Sequence, residues 1–117
     1  MYNFPEKTKL NKLINQRLEV ISCTANQVIF EFSNKIKIDA TAGFLYSNGL
    51  GDIEEVNVPI DTPSIFGLLE FEVSNVDILN DKKEMVIAFK NKEELRFFSD
   101  EMYESVYIYF GDERIIV

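Results

Sequence analysis

Apolar and polar residues alternate with a period of two through most of this chain. That spacing sets one face of a β-strand against a core and the other against water. It is clearest from Leu68 to Phe98, LLEFEVSNVDILNDKKEMVIAFKNKEELRFF. Phe71 and Val73 alternate with Glu70, Glu72 and Ser74. After Asn75 the parity slips to Val76 and Ile78, as a β-bulge would make it. Met85, Ile87 and Phe89 form the core face of a second strand, and Leu95 and Phe97 that of a third. Asn80-Asp81-Lys82-Lys83 and Lys90-Asn91-Lys92 are the turns between them.

Leu13 to Ala40 carries an echo of this stretch. Phe32-Ser33-Asn34-Lys35 lines up with Phe89-Lys90-Asn91-Lys92, Leu13-Ile14 with Leu68-Leu69, and Lys37-Ile38 with Arg96-Phe97. Two three-stranded meanders of one ancestry explain the match; so does the alternation any two meanders share. Strands are predicted at about 17–23, 27–33 and 35–42, with Lys35, Lys37 and Asp39 facing water. Leu10, Leu13, Ile14 and Leu18 recur at helical spacing, which fits a short helix over about 8–15. Gly43 to Pro63 is the least regular part. Ser47-Asn48-Gly49-Leu50-Gly51-Asp52 is turn-like, and Val56 and Val58 suit a short edge strand that Pro59 and Pro63 keep out of a sheet interior. Pro63 to Leu69 fits one helical turn closed by Gly67. Val106, Ile108 and Phe110, alternating with Tyr107 and Tyr109, form a late strand. Gly111-Asp112 turns the chain into a last short strand with Ile115 and Val117. The expectation is a mainly β, single domain over residues 1–117. It is an antiparallel sandwich or partly open barrel of about eight strands built from two three-stranded meanders, with the short helix near the N-terminus.

Composition narrows the chemistry. The chain is 117 residues long and 46% hydrophobic, with ten Phe and five Tyr. That suffices for a core without a metal or disulfide, and the aromatics favour strands. Cys23 is the one cysteine, expected as a small buried residue; a lone thiol fits a reducing, cytoplasmic setting. MYNFPEKTKL has no apolar signal core, and no run approaches a membrane span. Histidine is absent. That removes the commonest general base and metal ligand and makes a Ser–His–Asp or Cys–His arrangement impossible. No catalytic residue, metal site or cofactor is expected, and the chain is read as a non-enzyme. Gly49 and Gly51 match neither phosphate-binding glycine pattern, and no lysine accompanies them.

Charge adds direction. The net charge is −8. Residues 1–50 hold six basic and four acidic side chains, and residues 51–117 hold six basic and sixteen acidic. From Gly51 to Asp81 there are eight acidic residues and no basic one. Nucleic acid and anionic membrane are therefore disfavoured as partners, and a basic protein is favoured; an acidic surface that only keeps the protein soluble is the plainer alternative. The candidate partner-binding residues are Asp52, Glu54, Glu55, Asp61, Glu70 and Glu72, with Tyr46 and Tyr103 as aromatic anchors and Glu104 beside the latter.

Leu69-Glu70-Phe71-Glu72-Val73, Met85-Val86-Ile87-Ala88-Phe89, Leu95-Arg96-Phe97 and Tyr103-Glu104-Ser105-Val106-Tyr107-Ile108 together resemble a family of small bacterial proteins. These are immunity proteins of contact-dependent growth inhibition and related polymorphic toxin systems. The sequence departs from that pattern at Val106, where an aromatic often stands, and at Asn15-Gln16 or Glu70-Phe71, where a glycine often stands. The resemblance implies an inhibitor without enzymatic activity that binds a cognate toxin domain. Many such toxins are nucleases, whose clefts are basic, so carboxylates at 52–61 and 70–72 would stand in for phosphates. Two alternatives remain: an interaction or assembly module of other purpose, and a small ligand-binding β-barrel lined by Phe30, Phe32, Phe71, Phe89 and Phe97.

Overall fold

The computed structural model describes residues 3–61, 63–99 and 105–117. Ten strands lie in two antiparallel five-stranded sheets. In chain order they are β1 (Leu18–Cys23), β2 (Val28–Phe32), β3 (Ile36–Ala40), β4 (Phe44–Ser47), β5 (Ile53–Val56), β6 (Val73–Leu79), β7 (Glu84–Phe89), β8 (Glu94–Phe98), β9 (Val106–Phe110) and β10 (Glu113–Ile116). One sheet runs β1-β2-β3-β9-β10 and the other β5-β4-β8-β7-β6. The arrangement is a partly open sandwich, not a closed barrel. A short helix, α1 (Lys7–Leu10), continues as a 3₁₀ turn at Asn11–Leu13, and a second 3₁₀ turn spans Ser64–Leu68. Among the described residues no helix is long and apolar enough to cross a membrane.

The alternation in sequence becomes the two faces of each sheet. Val28, Phe30 and Phe32 are buried while Glu31 between them is exposed. Leu95 and Phe97 are buried on β8. Phe30 meets Phe44 and Phe97 edge-on, with centroids 5.6 and 5.8 Å apart. Each such side chain, fully withdrawn from water, contributes about 1.5–3 kcal/mol before chain entropy is counted. These rings fill the interior that a ligand-binding barrel would leave open. Phe71, assigned to that lining from sequence, is 41% exposed.

The echo seen in the sequence extends through all ten strands of the described residues. Each half is a three-stranded meander followed by a hairpin that crosses to the other sheet: β4–β5 joins β8, and β9–β10 joins β3. The halves meet through reciprocal backbone hydrogen bonds, as a two-fold axis between them requires. Asn15 N–H donates to Val73 O (2.7 Å) and Glu70 N–H to Leu18 O (2.8 Å). Leu18 N–H donates to Phe71 O (3.0 Å) and Val73 N–H to Gln16 O (2.9 Å). Phe32 and Phe89 stack on each other across this axis at 6.5 Å. The bulge predicted near Asn75 lies between Val73 and Asn75, and its counterpart interrupts β1 between Leu18 and Val20. Asn15 (φ 70°) and Glu70 (φ 75°) are also counterparts. Both adopt the left-handed conformation that glycine takes most readily, at the two places where the resemblance leads one to expect glycine.

Five expectations change. Among the described residues there are ten strands rather than about eight, because Phe44–Ser47 forms a strand of its own and the first half gains a full hairpin. The repeat sets Leu95, not Phe97, at the place of Ile38, since Ile38 pairs with Phe30 and Leu95 with Ile87. Asp39 is 7% exposed rather than solvated: Gln27 Nε2 donates to its Oδ2 at 2.6 Å, and Oδ1 has no hydrogen-bond partner. Cys23 ends an edge strand and is exposed, not buried. Phe71 precedes β6 at the junction of the halves and stays outside the core.

Candidate functional site

The nine residues singled out from sequence do not form one surface. Asp52, Glu54, Glu55 and Asp61 lie on or beside β5, one edge of its sheet, while Glu70 and Glu72 lead into β6, the opposite edge. Four strand spacings, roughly 19 Å, separate the two edges. Tyr103 and Glu104 lie outside the described residues.

The two acidic groups also differ in what they touch. Glu72 accepts a hydrogen bond from Lys90 Nζ at 2.5 Å, and that contact first, with the lysine's charge second, holds its carboxyl below the usual range. Glu70 lies 3.7 Å from Arg17 Nε. Arg17 is itself held above its ordinary pKa, chiefly by its hydrogen bond to Glu19 and then by Glu70. Asp61 closes a local turn: Asn57 donates to it through Nδ2 (2.6 Å) and through its backbone N–H (3.4 Å), and these bonds lower its pKa. Asp52 accepts from Asn48 Nδ2 at 3.0 Å. No ion pair to Asp52, Glu55 or Asp61 occurs among the described residues.

The β4–β5 hairpin is built to present its carboxylates. Phe44 and Tyr46 face inward, and Val56, paired with Phe44, is fully buried. The rest of β5 is exposed on both faces. Asn48 N–H donates to Asp52 O at 3.2 Å and closes the hairpin. Antiparallel alternation then turns the backbone N–H and C=O of Ile53 and Glu55 away from β4, toward solvent. Gly49, at φ +79°, packs its backbone against the β7–β8 turn; a Cβ there would stand 2.6 Å from Lys92 O. The loop is thereby pinned rather than free.

Tyr46, expected from sequence as an aromatic anchor for a partner, is only 8% exposed. It faces inward opposite Glu54 and hydrogen-bonds Glu93. Burial first, then that bond and the charges of Glu93 and Glu54, push its phenol up to about 12. The apolar residues the hairpin does expose are Leu50 (87%) and Ile53 (68%), which sequence reasoning missed. Their signal was weak, because β5 buries only Val56 and so shows no period of two. Asn48, Asp52, Ile53, Glu54, Tyr46 and Ser64 line a cleft of about 440 Å³ at the hairpin. Chemically, the hairpin offers carboxylate acceptors, free backbone groups and two apolar side chains to an extended or cationic surface.

Comparison with protein-family models, with curated proteins and with solved structures finds no match to this chain.

Proposed function

We propose that this chain is an immunity protein: a non-enzymatic cytoplasmic inhibitor that binds a cognate basic toxin domain and blocks its active site with the β4–β5 hairpin. One observation carries this reading. The exposed strand β5 presents Ile53 and Glu55 on one face and Glu54 on the other, with Asp52 and exposed Leu50 in the turn before it. Apolar side chains among carboxylates are common where proteins meet one another. A field of one sign steers a cationic partner onto it. A nuclease cleft, basic because its substrate is a polyanion, is the toxin class such a surface suits best. The sequence resemblance supports the same conclusion. Relative to the sequence expectation, the docking surface contracts to β5 and its turn, since Glu70 and Glu72 stand at the far edge beside Arg17 and Lys90.

The test is co-expression with the toxin domain encoded beside this chain. Cells survive and the pair co-purifies if the proposal holds. Death of the cells, with the chain soluble but unbound, contradicts it.

A further inference from the structure

The sheet edges are not protected alike. An edge strand turns a row of backbone N–H and C=O groups outward, and natural proteins blunt it with charge, proline or a cover. β6 is covered: α1 and its 3₁₀ turn pack against it, and Lys7 Nζ lies 3.1 Å from Asp77. β5 has Asp52 before it and Glu54 and Glu55 within it. β10 carries Glu113 and Arg114, with Lys9 and Lys12 beside the former. β1 differs. After Glu19, which pairs with Arg17, Val20-Ile21-Ser22-Cys23 has no charge and no proline. Among the described residues no helical segment packs along it as α1 does along β6.

The two-fold repeat makes the difference plain. With the two bulges superposed, Ile21 corresponds to Val76, Ser22 to Asp77 and Cys23 to Ile78. Val76 is fully buried and Ile78 packs against the core. Ile21 is only half-buried, Cys23 is exposed, and Val20 is 43% exposed. The bulge stands before Val20 and leaves the rest of β1 regular. Thr24 N–H donates to Gln27 O at 2.9 Å and closes the β1–β2 hairpin. Antiparallel alternation from that bond points the backbone of Ser22 toward Ile29 and turns the N–H and C=O of Ile21 and Cys23 outward.

We propose that β1 pairs antiparallel with β1 of a second copy of this chain, about a two-fold axis at Ser22, and joins the two sheets into one continuous sheet. This register sets Ile21 opposite Cys23 of the other copy, so every outward group of both residues is bonded. An axis at Ile21 or at Cys23 would draw Glu19 at the bulge, or Ala25 in the turn, into the ladder instead. Charge selects the occupant. Two chains of net charge −8 repel each other, yet this register brings no like charges together: Glu19 meets Ala25 and Arg17 meets Gln27 of the other copy. β5 paired with itself in the same way would set Glu54 against Glu54, which is destabilising. The contact is isologous and closes as a dimer. It uses no residue of the β4–β5 hairpin and so stands apart from the toxin reading.

The experiment is sedimentation equilibrium of the whole chain from about 1 μM to 1 mM, the range that small interfaces require. A reductant keeps Cys23 from linking copies by a disulfide. Amide hydrogen exchange by NMR accompanies it at both ends of the range. The mass should rise from 13.6 kDa toward twice that value. The amides of Ile21 and Cys23 should exchange more slowly at high concentration, while those of Ile53 and Glu55 should not change. Ser22→Lys and Ser22→Glu each set like charges across the axis and should weaken association about fivefold or more; mixed one to one, they should restore it. A mass that stays at one chain overturns the proposal. So does a dimer that ignores both variants, or one in which Ile21 and Cys23 exchange as they do in dilute solution. Amides there that slow only when the toxin domain of the co-expression test binds would give the edge to that partner and overturn the second copy.

Discussion

The hairpins β4–β5 and β9–β10 occupy equivalent places in the two halves and have opposite surroundings. β10 is closed off: Lys9 and Lys12 reach Glu113, and its end is sealed by Val117, fully buried and hydrogen-bonded in both directions to Val106. β5 buries the matching Val56, but Asp52 and Glu55 have no lysine or arginine beside them among the described residues, and Ile53 and Leu50 face water. One scaffold therefore shows both what this hairpin needs for folding and what the chain has added at one copy. The shared features are the buried aromatics, the bulges and the reciprocal backbone bonds. The difference is charge and apolar exposure: lysines pair with Glu113 at one copy, and Ile53 and Leu50 face water at the other.

If the halves are equivalent in the core, equivalent damage must cost the same. Phe32→Ala and Phe89→Ala remove the two stacked rings, which are 3% and 1% exposed. Each should cost about 3–5 kcal/mol in urea unfolding, and the double variant should depart from the sum because the rings touch. Unequal costs would break the symmetry on which the comparison stands.

The hairpin turns sharpen it. Gly111, at φ +62°, has open space where a Cβ would go, whereas at Gly49 the Cβ would meet Lys92 O at 2.6 Å. Gly111→Ala should cost about 1 kcal/mol for the left-handed backbone alone, and Gly49→Ala clearly more. Urea midpoints of the two variants give the order, and equal values would show that the β4–β5 turn is not pinned.

The smallest effect is on acid stability. Glu113 has its pKa lowered, first by the hydrogen bond from Lys9, and Glu72 likewise by Lys90. A carboxyl depressed in the folded state contributes stability above its unfolded pKa, about 4.3. That contribution fades as pH falls through the folded value. Glu113→Gln and Glu72→Gln should each flatten the fall of stability between pH 5 and pH 3.5, measured by urea titration at both. An unchanged slope would mean that these exposed pairs are too screened to register.

Much of the fold was legible in the sequence because its signal was periodic. The parity slip after Asn75 marked a real bulge, and Phe32-Ser33-Asn34-Lys35 against Phe89-Lys90-Asn91-Lys92 marked the repeat. The edge strand expected at Val56 is β5, shifted to Ile53–Val56, but β4 was not legible, since a strand that buries only Phe44 and Tyr46 shows the alternation over too few residues. The site was half legible. Composition located an acidic stretch from Gly51 to Asp81, but only the sheet order shows that its two ends lie on opposite edges. Tyr46 was misread because its inward direction depends on pairing with Leu95 and Glu54. Asp39 was misread because its withdrawal from water depends on Gln27 across the strands.

The account turns on whether β5 does the docking. The direct measurement is the association rate with the toxin domain proposed as partner at low and at physiological salt, for the native chain and for Asp52→Asn/Glu54→Gln/Glu55→Gln. A native rate that falls steeply with salt, and a variant slower by about ten- to a hundredfold at low salt with little salt dependence, is the predicted result. Equal rates for the two proteins, or a native rate indifferent to salt, would contradict it.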